Sequence, residues 1–261
     1  MTYRRAACPR RSQEGASLVE LLVGITLGLL VILVGIGTLV VSRATSSTVS
    51  DISQLQQQGS YAMRVIGLQL RQGGSLELTP LPGDSTYTLS DFAGTTVSGI
   101  EGGPLNADKV VIGNQASLTL DAGKKDCLGD GPKNGADPTV IMSTFAVNAN
   151  QELTCVGVGN WSAQPLISNV ADFQVVYRVN TGTTMAPVLA RLKADAMTPG
   201  HWKRVVAIEV CLDLRGNETT PDAGATYLDC KGAHPSRGSR THLVYRNVFS
   251  LRRQGMQEAP L

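Results

Sequence analysis

The sequence predicts an α+β protein: a long N-terminal α-helix, membrane-spanning in its first half, packed through its second half on an antiparallel β-sheet head. Three observations lead there. Ala16 to Val41 is a 26-residue apolar run carrying one charge, Glu20. Thr48 to Arg71 lacks proline and repeats apolar residues at helical spacing. From Ser75 onward, short apolar runs alternate with Gly, Pro, Asn and Asp clusters, the punctuation of strands and turns. An apolar content of 42% against 17% charged residues excludes a disordered or low-complexity chain.

The apolar run comes first. As a helix it measures about 39 Å, against a hydrocarbon thickness of about 30 Å. A soluble core rarely needs so long a run. A cleaved secretory signal has a shorter apolar core followed by a small-residue cleavage site, whereas this run leads into the polar stretch SRATSSTVSDISQLQQQ. Charge sets the orientation. Arg4, Arg5, Arg10 and Arg11 against Glu14 leave +3 in the first 15 residues, and the remainder has 19 basic and 20 acidic residues, net −1. The basic end is expected to stay cytoplasmic and the rest of the chain to lie outside the cytoplasm. A near-neutral body without a basic stripe argues against a nucleic-acid partner.

Glu20 is the exception within the run. A carboxylate in an apolar span costs about 2.5–3.5 kcal/mol at its centre and less near an end. It either snorkels to the interface or has a partner.

The residues around it resemble a known family. The arginine-rich leader, Gly15, and Ala16-Ser17-Leu18-Val19-Glu20-Leu21-Leu22-Val23 are similar to the processing site of type IV pilins and type II secretion pseudopilins. The resemblance implies cleavage after Gly15 by a membrane peptidase and N-methylation of the new first residue, Ala16, where the family usually has Phe. It places Glu20 fifth in the mature chain, able to pair with the α-amine of a neighbouring subunit, which would offset its burial cost. Gly24 and Gly28 form a G-x-x-x-G, with Gly35 and Gly37 beyond, and such small residues let helices approach closely. The implied organisation is a leader over 1–15, a helix over 16–73 with 16–41 in the membrane, and a head over 74–261.

In the second half of the helix, Val49, Ile52, Leu55, Met63, Ile66 and Leu70 mark a core-facing side. Gly59 and Gly67 are expected to weaken it, and Gly73-Gly74 to end it. Beyond lie candidate strands at Lys109–Gly113, Ser117–Leu120, Thr139–Val147, Phe173–Val179, Arg204–Leu214 and His242–Leu251, with a short helix at Leu189–Met197. Asp126-Cys127-Leu128-Gly129, Glu152-Leu153-Thr154-Cys155 and the run from Pro165 to Tyr177 are similar to the head of PilW-type minor pilins, relatives of the J-type minor pseudopilins. Trp202 followed by Val205, Ile208 and Val210, and a closing strand ending Leu251-Arg252-Arg253, fit the same type.

Five cysteines are present; Cys8 falls in the leader. Cys127, Cys155, Cys211 and Cys230 form an even set outside the cytoplasm, which favours disulfides. Of three connectivities, the preferred one joins chain neighbours, Cys127–Cys155 and Cys211–Cys230. Zinc is disfavoured by the lack of a C-x-x-C and by the scatter of His201, His234 and His242. The Asp-rich and Gly-rich stretch from Asp121 to Asp137 lacks calcium-loop spacing. Trp161 and Trp202 read as packing residues. No G-x-S-x-G, H-E-x-x-H or P-loop is present, so the reading is non-enzymatic, without metal or cofactor.

The implied function is that of a minor pilin in initiation or assembly of a type IV pilus. Its implied partners are other minor pilins, the major pilin, the prepilin peptidase/methylase and the inner-membrane assembly platform. The implied location is a single-pass inner-membrane protein with a periplasmic C-terminal head, incorporated into the pilus. A minor pseudopilin of type II secretion is the near alternative. A membrane-anchored periplasmic enzyme or sensor accounts for the span and the cysteines but not for Gly15–Glu20.

Overall fold

The structure is a computed structural model that describes residues 15, 17–75, 78–80, 87–89, 96–116, 124–131, 139–159, 162–183, 185–220 and 224–251. Its contacts divide the chain into two units, Met1–Ser47 and Thr48–Leu261. Helix α1, Leu18–Gln72, contributes residues to both.

In the first unit the described side chains from Leu18 to Val41 are all exposed. By length and composition this part of α1 is a candidate membrane span. Its hydroxyls are suited to an apolar medium. Thr26, Thr38 and Thr45 donate to the carbonyls of Val23, Gly35 and Val41 at 2.9–3.0 Å, so none depends on water.

In the second unit, α1 buries one stripe: Asp51, Leu55, Gly59, Ala62, Ile66 and Leu70, three and four residues apart. Val49, expected on that stripe, is 62% exposed, because the stripe starts at Asp51 and Val49 lies off it. Gly73 and Gly74 form the turn that follows, with Gly74 at φ +73°, a left-handed position suited to glycine.

The strands form three antiparallel sheets. The smallest pairs β1 (Leu78–Pro80) with β2 (Tyr87–Leu89). A five-stranded sheet runs in sequence order through β3 (Val97–Ile100), β4 (Lys109–Ala116), β5 (Thr139–Val147), β6 (Leu153–Gly157) and β7 (Gln164–Ile167). The third contains β8 (Val170–Asn180), β9 (Leu189–Leu192), β10 (Val205–Thr219) and β11 (Arg240–Ser250), in the order β11-β10-β8-β9. Leu55, Ile66 and Leu70 of α1, Val110 and Phe145 of the five-stranded sheet, and Ile208, Val210 and Phe249 of the four-stranded sheet share one core.

One expectation for the strand region needs correction. The stretch Leu189–Met197 is not a helix: Leu189–Leu192 pairs with β8, and a 3₁₀ turn follows at Ala194–Ala196. Its apolar positions fit both periods over so short a run. A four-residue helix, α2, instead forms at Pro199–Trp202, where Thr198 and His201 cap each other. The candidate strand Ser117–Leu120 lies outside the described residues. The imperfect alternation in β10 also has a cause: the register to β8 shifts between Val205 and Ala207, moving the core face onto Ile208, Val210, Leu212 and Leu214.

The glycines of the buried stripe are seats for rings. A Cβ on Gly59 would lie 2.7 Å from Cδ2 of Tyr245, closer still to Cε2 and Cζ, and one on Gly67 would lie 2.5 Å from Cε1 of Phe249. Eight helical residues rise about 12 Å and four strand residues about 13 Å, so Gly59/Gly67 and Tyr245/Phe249 match in spacing. The helix tolerates two poor helix formers because they admit two aromatic side chains of β11.

Candidate assembly site

The residues singled out at the N-terminus belong to the first unit. Gly15 is exposed, and Glu20 stands exposed in the first turn of α1. Ala16 and Cys8 lie outside the described residues. A Cβ added at Gly24, Gly28, Gly35 or Gly37 would meet nothing within 4 Å. An apolar helical segment with notches and a single charge near its start is chemically suited to lateral packing against other helices.

The head is held by two cysteine bridges. The structure joins Cys127 to Cys155, with Cα atoms 6.3 Å apart, and Cys211 to Cys230, 5.5 Å apart. Asp126 shapes the first cysteine loop. Its Oδ1 accepts from the amides of Leu128 and Asp130 and its Oδ2 from that of Val158, all at 2.8–2.9 Å. Asp126 thus serves as the hub of the described part of the acidic loop; its flanks, 121–123 and 132–138, lie outside the described residues. Helix α1 is tied to the same loop: Gln69 donates to the Lys125 carbonyl and accepts from Ser143, whose Oγ accepts from the Cys127 amide.

The second bridge fastens the segment between β10 and β11 over the outer face of the four-stranded sheet. Beneath that segment Asp213 is 1% exposed. Tyr227 donates to its Oδ2 at 2.8 Å, His242 Nδ1 lies 3.0 Å from its Oδ1, and the two rings stack at 4.3 Å. A Tyr–Asp–His cluster invites a catalytic reading. Yet burial first, and then the bond to Asp213, push the Tyr227 hydroxyl above its usual range, the opposite of an activated nucleophile. The cluster anchors the covering segment. At the far end of β10, Asp51 accepts from the amides of Asn217 and Glu218, where the register to β11 shifts, and Gly216 leaves room for its carboxylate.

Trp202 packs edge-on against the buried Tyr177, with ring centroids 4.9 Å apart, while Trp161 lies outside the described residues. Among the described residues no group of three or more His, Cys, Asp or Glu is placed to hold a metal ion. Nothing in the sequence announces the Asp213 cluster: Asp213, Tyr227 and His242 are far apart in the chain and match no motif. Asp51 carried a weak signal as an acidic residue on a face otherwise apolar.

Comparison with known proteins gives one family match and a distant structural likeness. The model of the family described as Type IV Pilus-assembly protein W matches residues 132–253. No curated protein matches the chain. Among solved structures, a type IV-like pilin, TTHA1219 from Thermus thermophilus, aligns at 13% identity over 76% of this chain and 97% of that one, with a TM-score of 0.42. Proteins of the pilin kind are structural, and a pilus-assembly family acts together with other pilus components. The chain resembles type IV pilin-like proteins, and its head is similar over residues 132–253 to the family described as Type IV Pilus-assembly protein W.

Proposed function

We propose that the chain is a minor pilin that helps to initiate or assemble a type IV pilus, in a tip or priming complex. One observation carries the reading: a head matched by a pilus-assembly family is joined in one sequence to an apolar segment, Ala16 to Val41, whose single charge, Glu20, stands in the first turn of α1. On this reading, cleavage after Gly15 frees an α-amine on Ala16, which is then methylated. Glu20 pairs with such an amine on a neighbouring subunit, and Gly24 and Gly28 admit the neighbouring helices. The basic leader keeps the N-terminus cytoplasmic, so the head is periplasmic until the subunit enters the fibre. The partners are the major pilin, other minor pilins, the prepilin peptidase/methylase and the inner-membrane assembly platform. The head acts as a structural surface, without catalysis.

The experiment is deletion of the gene, followed by counting surface pili and complementation with wild-type or Glu20→Ala protein. Pili should be lost on deletion, return with wild type, and stay rare with the variant. Normal piliation together with a defect in protein secretion would instead assign the chain to a type II secretion pseudopilus.

A further inference from the structure

The outer face of the four-stranded sheet carries Glu209, Cys211 and Asp213 in place of the core residues Ile208, Val210 and Leu212. The segment closed by Cys211–Cys230 covers one end of it. Beside that cover lies a cavity of about 280 Å³, walled by Arg191, Lys231, Arg246 and Glu209 and floored by Gln174, Val176 and the bridge itself. The volume suits one side chain and its backbone, not a large ligand.

The walls carry a surplus of positive charge. Three cations face one carboxylate, and that carboxylate is divided: Glu209 pairs with Arg191 at 3.0 Å and with Arg178 at 3.4 Å. Lys231 reaches Asp172 only at 3.9 Å. Arg246 is held by neutral acceptors, the Cys211 sulfur at 3.4 Å and the Asp229 carbonyl. Its guanidinium is thereby fixed without being neutralised.

The edge beside the cavity is suited to an extended chain. Strand β9, which carries Arg191, bonds only to β8 within its sheet, so its outer edge faces away from the other strands. Val188 and Leu189, at its start, are 59% and 58% exposed.

We propose that this cavity and the β9 edge together bind an extended segment of a partner protein, taking its Asp or Glu carboxylate between Arg191, Lys231 and Arg246. A planar carboxylate matches the guanidinium forks. Glu209 in the wall opposes a doubly charged phosphate. The flanking apolar residues of the segment would lie on Val188 and Leu189, with its backbone along β9. Such binding is a property of the head and holds for a pilus or a secretion pseudopilus alike.

The test uses the full chain in detergent and a fluorescein-labelled, terminally blocked peptide, Val-Leu-Glu-Val-Leu, read by anisotropy. Replacing the peptide's Glu by Gln should weaken binding about tenfold, as should Arg191→Ala with Lys231→Ala, and raised salt should weaken only the Glu peptide. Both side chains are well exposed, at 61% and 45%, so the variant should keep its fold; unchanged tryptophan fluorescence checks this, and Arg191→Ala alone serves if the pair unfolds. Equal binding of the Glu and Gln peptides, or wild-type affinity in the variant, would overturn the proposal. So would displacement of the peptide by an equal concentration of inorganic phosphate, which would mark an adventitious anion site only.

Discussion

Gly59→Ala sets helix propensity against packing and so tests the helix–strand seat. In an exposed helix, Gly→Ala stabilises by about 1 kcal/mol. Here the new methyl would fall on three atoms of the Tyr245 ring, the farthest of them 2.7 Å away. The ring is rigid, half-buried, and fixed from a strand hydrogen-bonded to β10, so it cannot swing clear without moving β11. Overpacking of this kind costs about 1–3 kcal/mol. Overlap with three atoms belongs at the upper end, which leaves a net loss of about 2 kcal/mol after the propensity gain. For a unit of this size that is a fall of about 4–8 °C in Tm. The assay is thermal and denaturant unfolding of the full chain in detergent, followed by tryptophan fluorescence, since Trp202 packs on core Tyr177. Gly24→Ala is the control: nothing lies within 4 Å of its new methyl, so head stability should not change. In the double variant Gly59→Ala/Tyr245→Ala the two losses should fail to add, because the second substitution removes the clash. If Gly59→Ala raised the midpoint, or the losses were additive, the ring would not occupy the glycine notch and the account of the seat would be wrong.

The remaining expectations concern processing, bridges and charge. The mature chain should start at Ala16, and Gly15→Val should leave a full-length precursor; intact mass decides, and a mature start beyond residue 41 would end the pilin reading. Non-reducing peptide mapping should recover Cys127–Cys155 and Cys211–Cys230, and Cys230→Ser should cost about 3 kcal/mol in the chain-entropy model. Glu20→Ala should insert normally and keep both bridges, yet co-purify poorly with other pilins. Burial raises the Asp172 carboxyl above its ordinary value, so the folded state holds that proton more tightly than the unfolded chain does. Its ionisation therefore removes stability as pH rises from the ordinary carboxylate range through the raised value, and Asp172→Asn should gain on wild type in unfolding free energy over that rise.

The sequence makes some of this legible and hides the rest for physical reasons. Strand β5 is readable at Thr139–Val147 because nothing interrupts its apolar and β-branched run. Strands β3, β6 and β7 are four or five residues long and sit among glycines and prolines, so composition points to a loop. Strand β10 runs past Leu214 to Thr219 through Gly216, which reads as a breaker until the Asp51 carboxylate is seen to fill the space. The bridges are legible because the four cysteines beyond Cys8 leave only three connectivities. The cationic cavity is not, because Arg191, Lys231 and Arg246 meet only through strand order and the second bridge.

Glycine in α1 shows how far a single sequence can be taken. Gly24, Gly28, Gly59 and Gly67 look alike in the sequence: each is a small residue in a helix, spaced to share a face with its pair. The structure separates them. Gly59 and Gly67 are filled from within the chain by Tyr245 and Phe249, so their small size is spent on the head's own core. The described side chains around Gly24 and Gly28 are exposed, and a Cβ at either glycine would meet no described atom within 4 Å. An apolar helix in that state must be covered by lipid or by other helices. Lipid alone gives no reason for glycine, since Leu or Ala would serve as well and make a better helix. On the proposed reading, a helix from another subunit occupies these notches. The same reasoning separates two substitutions: Gly24→Leu should leave the head and membrane insertion intact and weaken association with other pilins, whereas Gly59→Leu should unfold the head before association can be measured.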